Sequence, residues 1–220
     1  MTTLTTTPVA PLLARLFEEA DRLRAEMFRA FEGMSEQETT RLMQDKTAWR
    51  EMYGTLREVP LPVSPESGRL LYMLARSGNA RTIVEFGTSF GISTIHLAAA
   101  LRDNGGGLVI TTEFEPTKVE KARAHLAEAG LADLVEIRVG DALETLAEGL
   151  PDSVDLVLLD GAKSLYPDVL DRLESRLRPG AFVLADNADY CPEYLARVRA
   201  ADGGYLSVPF ADDVELSMKL

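Results

Sequence analysis

Apolar residues recur at helical spacing through the first third of the chain and then change to short unbroken runs. Leu12, Leu13, Leu16, Phe17, Leu23, Met27, Phe28 and Phe31 predict a helix from about Val9 to Phe31, closed by Gly33. Ser35 with Glu38 reads as a capping box that opens a second helix. It is expected to run to about Arg57, with Leu42, Met43, Trp49, Met52, Tyr53 and Leu56 on a narrow stripe that suits a helix lying on the main body. Pro60, Pro62 and Pro65 break the chain, and a third helix is expected from Pro65 to about Arg76. The residues before Val9 are expected to fray.

From Arg81 the pattern is strand, turn, helix, repeated. Strands are expected near Thr82–Phe86, Leu108–Glu113, Val135–Val139, Val154–Asp160 and Ala181–Asp186. Helices are expected near Ile92–Leu101, Pro116–Ala129, Ala142–Gly149, Tyr166–Leu177 and Pro192–Ala201. The later strand runs are almost entirely apolar, Asp155 apart, as parallel strands covered on both faces must be. The alternation predicts an α/β fold with a doubly wound, mostly parallel sheet. Two further strands, Tyr205–Val208 and Val214–Lys219, flank Pro209 to Asp213 and suggest an antiparallel hairpin at one edge, seven strands in all. A single domain is expected over 1–220, with 1–60 as a helical cap or lid and 61–220 as the core.

Composition narrows the function. The chain has 220 residues, of which 46% are apolar, which suits a packed core. Its 23 basic against 35 acidic residues, net charge −12, disfavour nucleic acid and anionic membrane as partners. The one cysteine, Cys191, allows no internal disulfide and suits a reducing, cytoplasmic setting. The first residues carry no basic region followed by an apolar run, so no secretory signal is read there.

Two polar pairs carry the most chemistry. Asp160 with Lys163 follows the run Val154–Leu159, and Asp186 with Asn187 follows Ala181–Ala185. Ligands of open α/β sheets sit beyond the carboxyl ends of their strands. Hard oxygen donors of this kind select Mg²⁺ or Mn²⁺, so Asp160, Asp186 and Asn187 are candidate metal ligands. Lys163 is a candidate general base, on the expectation that a nearby metal and sulfonium lower its pKa. Gly87 allows a sharp turn after the first strand, and Gly91 is expected to let a ligand approach the next helix. The dinucleotide fingerprint is absent, which leaves room for a nucleotide-like ligand without pyrophosphate such as S-adenosylmethionine. Ser93 at the helix start is placed to take its carboxylate. Glu113, about 20 residues beyond the glycine loop, is placed to accept ribose hydroxyls. Asp141 reaches an adenine amino group or caps the following helix, with equal weight. Trp49, Tyr53, Tyr166 and Tyr190 are candidate walls for an aromatic acceptor, although most aromatic residues are core. His96, His125 and Cys191 read as structural.

With these positions placed, the chain from about Leu61 to Leu220 resembles the class I S-adenosylmethionine-dependent O-methyltransferases, in particular the small metal-dependent kind typified by catechol O-methyltransferase. The resemblance is carried by Asp160-Gly161-Ala162-Lys163, by Leu184-Ala185-Asp186-Asn187, by Glu85-Phe86-Gly87 through Ser93, by Ile110-Thr111-Thr112-Glu113, and by Leu61-Pro62-Val63-Ser64. It implies a Rossmann-like fold and cofactor contacts at Val63, Glu85, Gly87, Ser93, Glu113, Asp141, Ala142 and Asp160. It also implies Mg²⁺ at Asp160, Asp186 and Asn187, catalytic roles for Lys163 and Asp160, and a possible homodimer. The implied reaction is methyl transfer to a hydroxyl of a small vicinal-diol-like acceptor. Methylation of nitrogen or carboxylate without metal, and a non-catalytic cofactor-binding protein, are the competing readings. Small Gly161 and Ala162 stand where the animal catechol enzymes carry bulky residues, which implies a wider pocket. The segment from Asp202 to Asp213 holds no clear counterpart of those enzymes' acceptor-binding glutamate.

Overall fold

The computed structural model describes all residues of the chain except Ala30 and Asp212. Helices α1 (Val9–Arg29), α2 (Glu36–Gln44), α3 (Trp49–Thr55) and α4 (Pro65–Ser77) precede the sheet. The rest alternates: β1 (Thr82–Phe86), α5 (Ile92–Asp103), β2 (Leu108–Glu113), α6 (Pro116–Glu128), β3 (Val135–Val139), α7 (Ala142–Thr145), β4 (Val154–Leu159), α8 (Tyr166–Leu173), β5 (Leu177–Ala185) and α9 (Pro192–Arg199). Strands β6 (Tyr205–Phe210) and β7 (Val214–Lys219) close it. The sheet runs β3-β2-β1-β4-β5-β7-β6, parallel from β3 to β5 and antiparallel at the hairpin. This is the doubly wound, seven-stranded architecture expected. Among the described residues no helix is long and apolar enough to cross a membrane.

The unbroken apolar runs are explained by two cores. Ile83 of β1 and Leu156 and Leu158 of β4 pack into one core with α1, α4 and α5. Their neighbours Val84, Val157 and Leu159 pack into the other with α7, α8 and α9. Successive side chains point to opposite faces, and both faces are covered, so no position in these strands can be polar without cost.

The second expected helix is two helices. Ser35 opens α2 with both halves of a capping box. The helix then ends at Asp45, whose side chain accepts from the Thr47 and Ala48 backbone N–H at 2.7 and 2.9 Å. Aspartate competes well with the helix for such donors, and the chain restarts as α3. The N-terminus is docked and not frayed. Thr3 donates through its backbone N–H and its hydroxyl to the Asp103 carboxylate, which also accepts from the Tyr72 hydroxyl at 2.6 Å. Strand β5 starts at Leu177, earlier than expected, and α7 ends at Thr145, earlier than expected.

The cap formed by α2 and α3 is fastened by ion pairs to three separate elements. Lys46 meets Asp168 at 2.6 Å, Arg50 meets Asp141 at 2.6 Å and Glu58 meets Lys121 at 2.9 Å. Exposed pairs of this kind contribute about 0–1 kcal/mol each. Burial of Trp49, Met52 and Leu56 holds the cap more firmly than they do.

At the opposite end of the sheet, Asp155 accepts from the Arg81 and Thr82 backbone N–H at 2.7 and 2.9 Å and from Arg178 Nε at 2.5 Å. Asp155→Ala leaves these donors unpaired and should lower unfolding free energy by about 2 kcal/mol in a urea titration. Because this site is remote from the strand carboxyl ends, any activity should be unchanged at low temperature.

Candidate functional site

Strands β1 and β4 are neighbours, but the chain leaves β1 toward one edge and β4 toward the other. This reversal opens a crevice beyond their carboxyl ends, where ligands of such sheets bind. The two turns touch there. Asp160 N–H donates to Phe86 carbonyl at 2.8 Å, and a Cβ on Gly87 would stand 2.6 Å from the Asp160 carbonyl oxygen. Gly87 also takes a φ of +103°, a region open to glycine. Gly91 has a φ of +85°, but its missing side chain faces Ala122 of α6 at 3.5 Å. It serves the turn and helix packing, and not ligand approach as expected.

Two cavities occupy the crevice. The smaller, about 60 Å³, lies over Gly87, Ser89, Glu113, Gly140 and Ala142, and is roofed by Trp49 and Phe114. The larger, about 730 Å³, lies under the cap and reaches Asp160, Lys163, Asp186 and Asn187 at its base. Tyr53, Leu61 and Asp160 line both. Val63 lines the larger cavity, and Trp49 the smaller. Tyr166 lines neither: it is wholly buried between the Phe86 and Tyr194 rings, and its hydroxyl donates to the Asp186 carbonyl at 2.7 Å. Tyr190, half-buried, is likewise not among the cavity-lining residues.

Glu85 is fully buried and lines neither cavity. Its Oε2 accepts from Thr94 and Thr111 hydroxyls at 2.5 and 2.6 Å, while Oε1 has no hydrogen-bond partner. Burial, opposed by the hydroxyls of Ser93, Thr111 and Thr94 and aided by Asp160, pushes its carboxyl up to about 7. Ser93 is itself buried against Glu85 and lies outside the smaller cavity. Glu113 accepts from Ser89 N–H at 2.8 Å and from Glu115 N–H at 3.0 Å, and burial raises its pKa. Asp141 caps α7 by accepting from Leu143 N–H at 2.9 Å, and it also pairs with Arg50.

At the base of the larger cavity, Lys163 Nζ donates to Asp160 Oδ1 at 2.9 Å. Burial disfavours the Lys163 charge, but Tyr166, Asp160, Tyr53 and Asp186 outweigh it and hold the ammonium well above its ordinary pKa. The protein's own groups therefore do not produce the lowered pKa expected of it. Asp186 is pushed well above the usual carboxylate range by burial and by Asp160. Asn187 takes a left-handed φ of 48°, and its amide nitrogen donates to Asp213 at 2.7 Å, which leaves the amide oxygen unused. Among the described residues no three His, Cys, Asp or Glu side chains form a metal-ligating group; this set has two carboxylates and one amide. Two carboxylates sharing too little positive charge, beside an amide oxygen, fit a hard divalent cation.

Lys118 was absent from the sequence reading. It is buried, lines the smaller cavity beside Glu113, and is pushed down in pKa by that burial. A lysine in the first turn of a helix opposes the helix dipole, and that signal was available in Pro116-Thr117-Lys118.

Comparison with known proteins places the chain among methyltransferases. Residues 84–188 match the family described as a methyltransferase domain. An O-methyltransferase of Streptomyces achromogenes involved in tomaymycin synthesis, solved in complex with SAM, is 30% identical and aligns over 91% of this chain and 98% of its own, with a TM-score of 0.60.

The chain belongs to the class I S-adenosylmethionine-dependent O-methyltransferase family.

Catechol O-methyltransferases of Niastella koreensis and Mycobacterium tuberculosis are 34% and 38% identical over 140 and 131 residues. Those stretches cover 61% and 59% of this chain, and the chain spans only 62% and 59% of the two relatives. An O-methyltransferase of Bacillus cereus in complex with SAH shares the fold at a TM-score of 0.66 and 22% identity, over 90% of this chain and 97% of its own.

The raised Glu85 pKa has a stability consequence. A buried carboxyl whose folded pKa of about 7 exceeds its unfolded value near 4.5 contributes stability fully below pH 4.5 and loses it as pH rises through 7. Glu85→Gln should remove that dependence. Urea titrations at pH 5 and pH 8 should show the wild type losing up to about 3 kcal/mol more than the variant between them.

Proposed function

We propose that the protein transfers the methyl group of S-adenosylmethionine to a hydroxyl of a small, vicinal-diol-like aromatic acceptor, with a divalent cation, Mg²⁺ by its oxygen donors, beside Lys163. The observation that carries this reading is that the two cavities meet at Asp160, one over the glycine loop and the other over Lys163, Asp186 and Asn187.

S-adenosylmethionine, when bound, supplies an electrophilic methyl on a sulfonium. Its cationic amino group would meet Glu85 Oε1, the buried oxygen without a partner, and would draw that carboxyl back to its ionised form. Glu113 would take ribose hydroxyls, with Gly87 and Ala142 giving the adenosine close access to backbone. A divalent cation, when bound to Asp160, Asp186 and Asn187, supplies the charge that makes a hydroxyl acidic. A cation at Asp160 and Asp186 would weaken the attraction that holds Lys163 charged, which favours its amine as the acceptor of the hydroxyl proton. Asp160 stands between the two cavities and fixes the distance between donor and acceptor. The cap excludes water, which favours a reaction that joins opposite charges. The exposed Leu206 and Val208 of edge strand β6 support the expected homodimer.

Labelled methyl transfer to a panel of catechols, with Mg²⁺ and with excess chelator, tests the reading. Turnover should vanish with chelator, and Lys163→Met should lower kcat by about 10²–10⁴ while S-adenosylhomocysteine still binds. Turnover that survives chelation would instead favour a nitrogen or carboxylate acceptor.

The smaller cavity, about 60 Å³, is below the roughly 300 Å³ of a working ligand pocket, so a bound cofactor would press on Trp49, which lines it. Trp49 is the only tryptophan. Its fluorescence should therefore shift when S-adenosylhomocysteine is added. A spectrum unchanged at saturating ligand would remove the smaller cavity as the cofactor seat.

A further inference from the structure

We propose that Lys118 is a cofactor-binding residue that donates a hydrogen bond to the ribose hydroxyls of S-adenosylmethionine, opposite the acceptor Glu113. The proposal rests on the smaller cavity being the cofactor seat.

Lys118 lies in the first turn of α6 and is 4% exposed, yet its ammonium is poorly satisfied. An ammonium carries three donors. Among the described residues it makes one hydrogen bond, a long one of 3.4 Å to Ser89 Oγ, and it forms no ion pair. Burying a charge with so few partners is costly unless something else supplies them. The side chain lines the cavity together with Glu113 and Ser89.

The surrounding hydrogen bonds show what is missing. Ser89 takes a φ of +46°, strained for a residue with a side chain. That turn aims its N–H at Glu113 Oε2 at 2.8 Å, while its hydroxyl accepts from Leu61 N–H at 3.1 Å. Glu113 is thus held from behind by backbone donors, with lone pairs left over. Lys118 interacts favourably with Glu113 but stands beyond ion-pair contact. A carboxylate acceptor and an ammonium donor separated in this way match a cis-diol. Each hydroxyl can give its hydrogen to Glu113 and accept from Lys118 through a lone pair. An unbranched apolar moiety would satisfy neither.

The test uses isothermal calorimetry on the full chain with two ligands, S-adenosylhomocysteine and its 2′,3′-dideoxy analogue. The variants are Lys118→Met and Lys118→Arg, with thermal melting to confirm that each is folded. Lys118→Met should weaken S-adenosylhomocysteine about tenfold or more, the scale of one charged hydrogen bond. It should leave affinity for the dideoxy analogue close to that of the wild type, and Lys118→Arg should recover part of the loss. Unchanged S-adenosylhomocysteine affinity in Lys118→Met would overturn the proposal. Equal loss for both ligands would also overturn it, because Lys118 would then act only by holding Ser89. Should Lys118→Met fail to fold, Lys118→Leu, which also lacks a donor, gives the same comparison. A wild type that binds neither ligand would bring down the cofactor reading as well.

Discussion

The contact between Gly87 and Asp160 is the constraint on which the site depends. Neighbouring strands β1 and β4 send their chains to opposite edges of the sheet, and the two departing turns must pass each other. Any side chain at Gly87 would collide with the Asp160 backbone, so only glycine lets them pass. Gly161, next to it, would collide with the Phe86 ring if it carried a Cβ. The close passage leaves Asp160 facing both cavities. The two cavities thereby share a wall, which under the proposed function is the geometric requirement of a direct group transfer.

Charge in this crevice is unbalanced in a consistent way. Glu85, Glu113 and Asp186 are pushed up by burial, Lys118 is pushed down by it, and Lys163 is held charged by its anionic neighbours. All but the Lys163 shift mark groups whose partners within the protein are too few or too near in sign. Perturbed groups concentrated in one cleft are the physical mark of a site where ligands bring the compensating charge. The cost is borne by two apolar cores on either face of the sheet, which contain few such groups.

The cap answers a different demand. Under the proposed function it would cover the crevice during reaction and still let ligands exchange. Anchoring α2 and α3 through exposed ion pairs and a few apolar side chains gives a weak, divided attachment. Trp49 against Phe114, with ring centroids 5.1 Å apart, lines the smaller cavity, and Arg50 pairs with Asp141 between its lining residues Gly140 and Ala142. The cap thus lines both cavities, the smaller through Trp49 and Tyr53 and the larger through Met43, Tyr53 and Leu56.

The sequence alone determined the strands, the two-sided burial of the sheet, the edge hairpin and the polar pairs after β4 and β5. These are local: an apolar run, a capping box and a glycine each act within a few residues, so spacing reveals them. Their placement beyond strand carboxyl ends followed from topology, which alternation also encodes. Only the tertiary structure decided which side chains face which cavity. Tyr166 looked like a wall and is core, because packing between Phe86 and Tyr194 fixes its direction. The break at Asp45 depended on one carboxylate outcompeting a helical turn. The docked N-terminus depended on Asp103, a hundred residues away in the chain. Lys118 was hidden for the same reason: burial of a charge is decided by elements distant in sequence, and no periodicity records it.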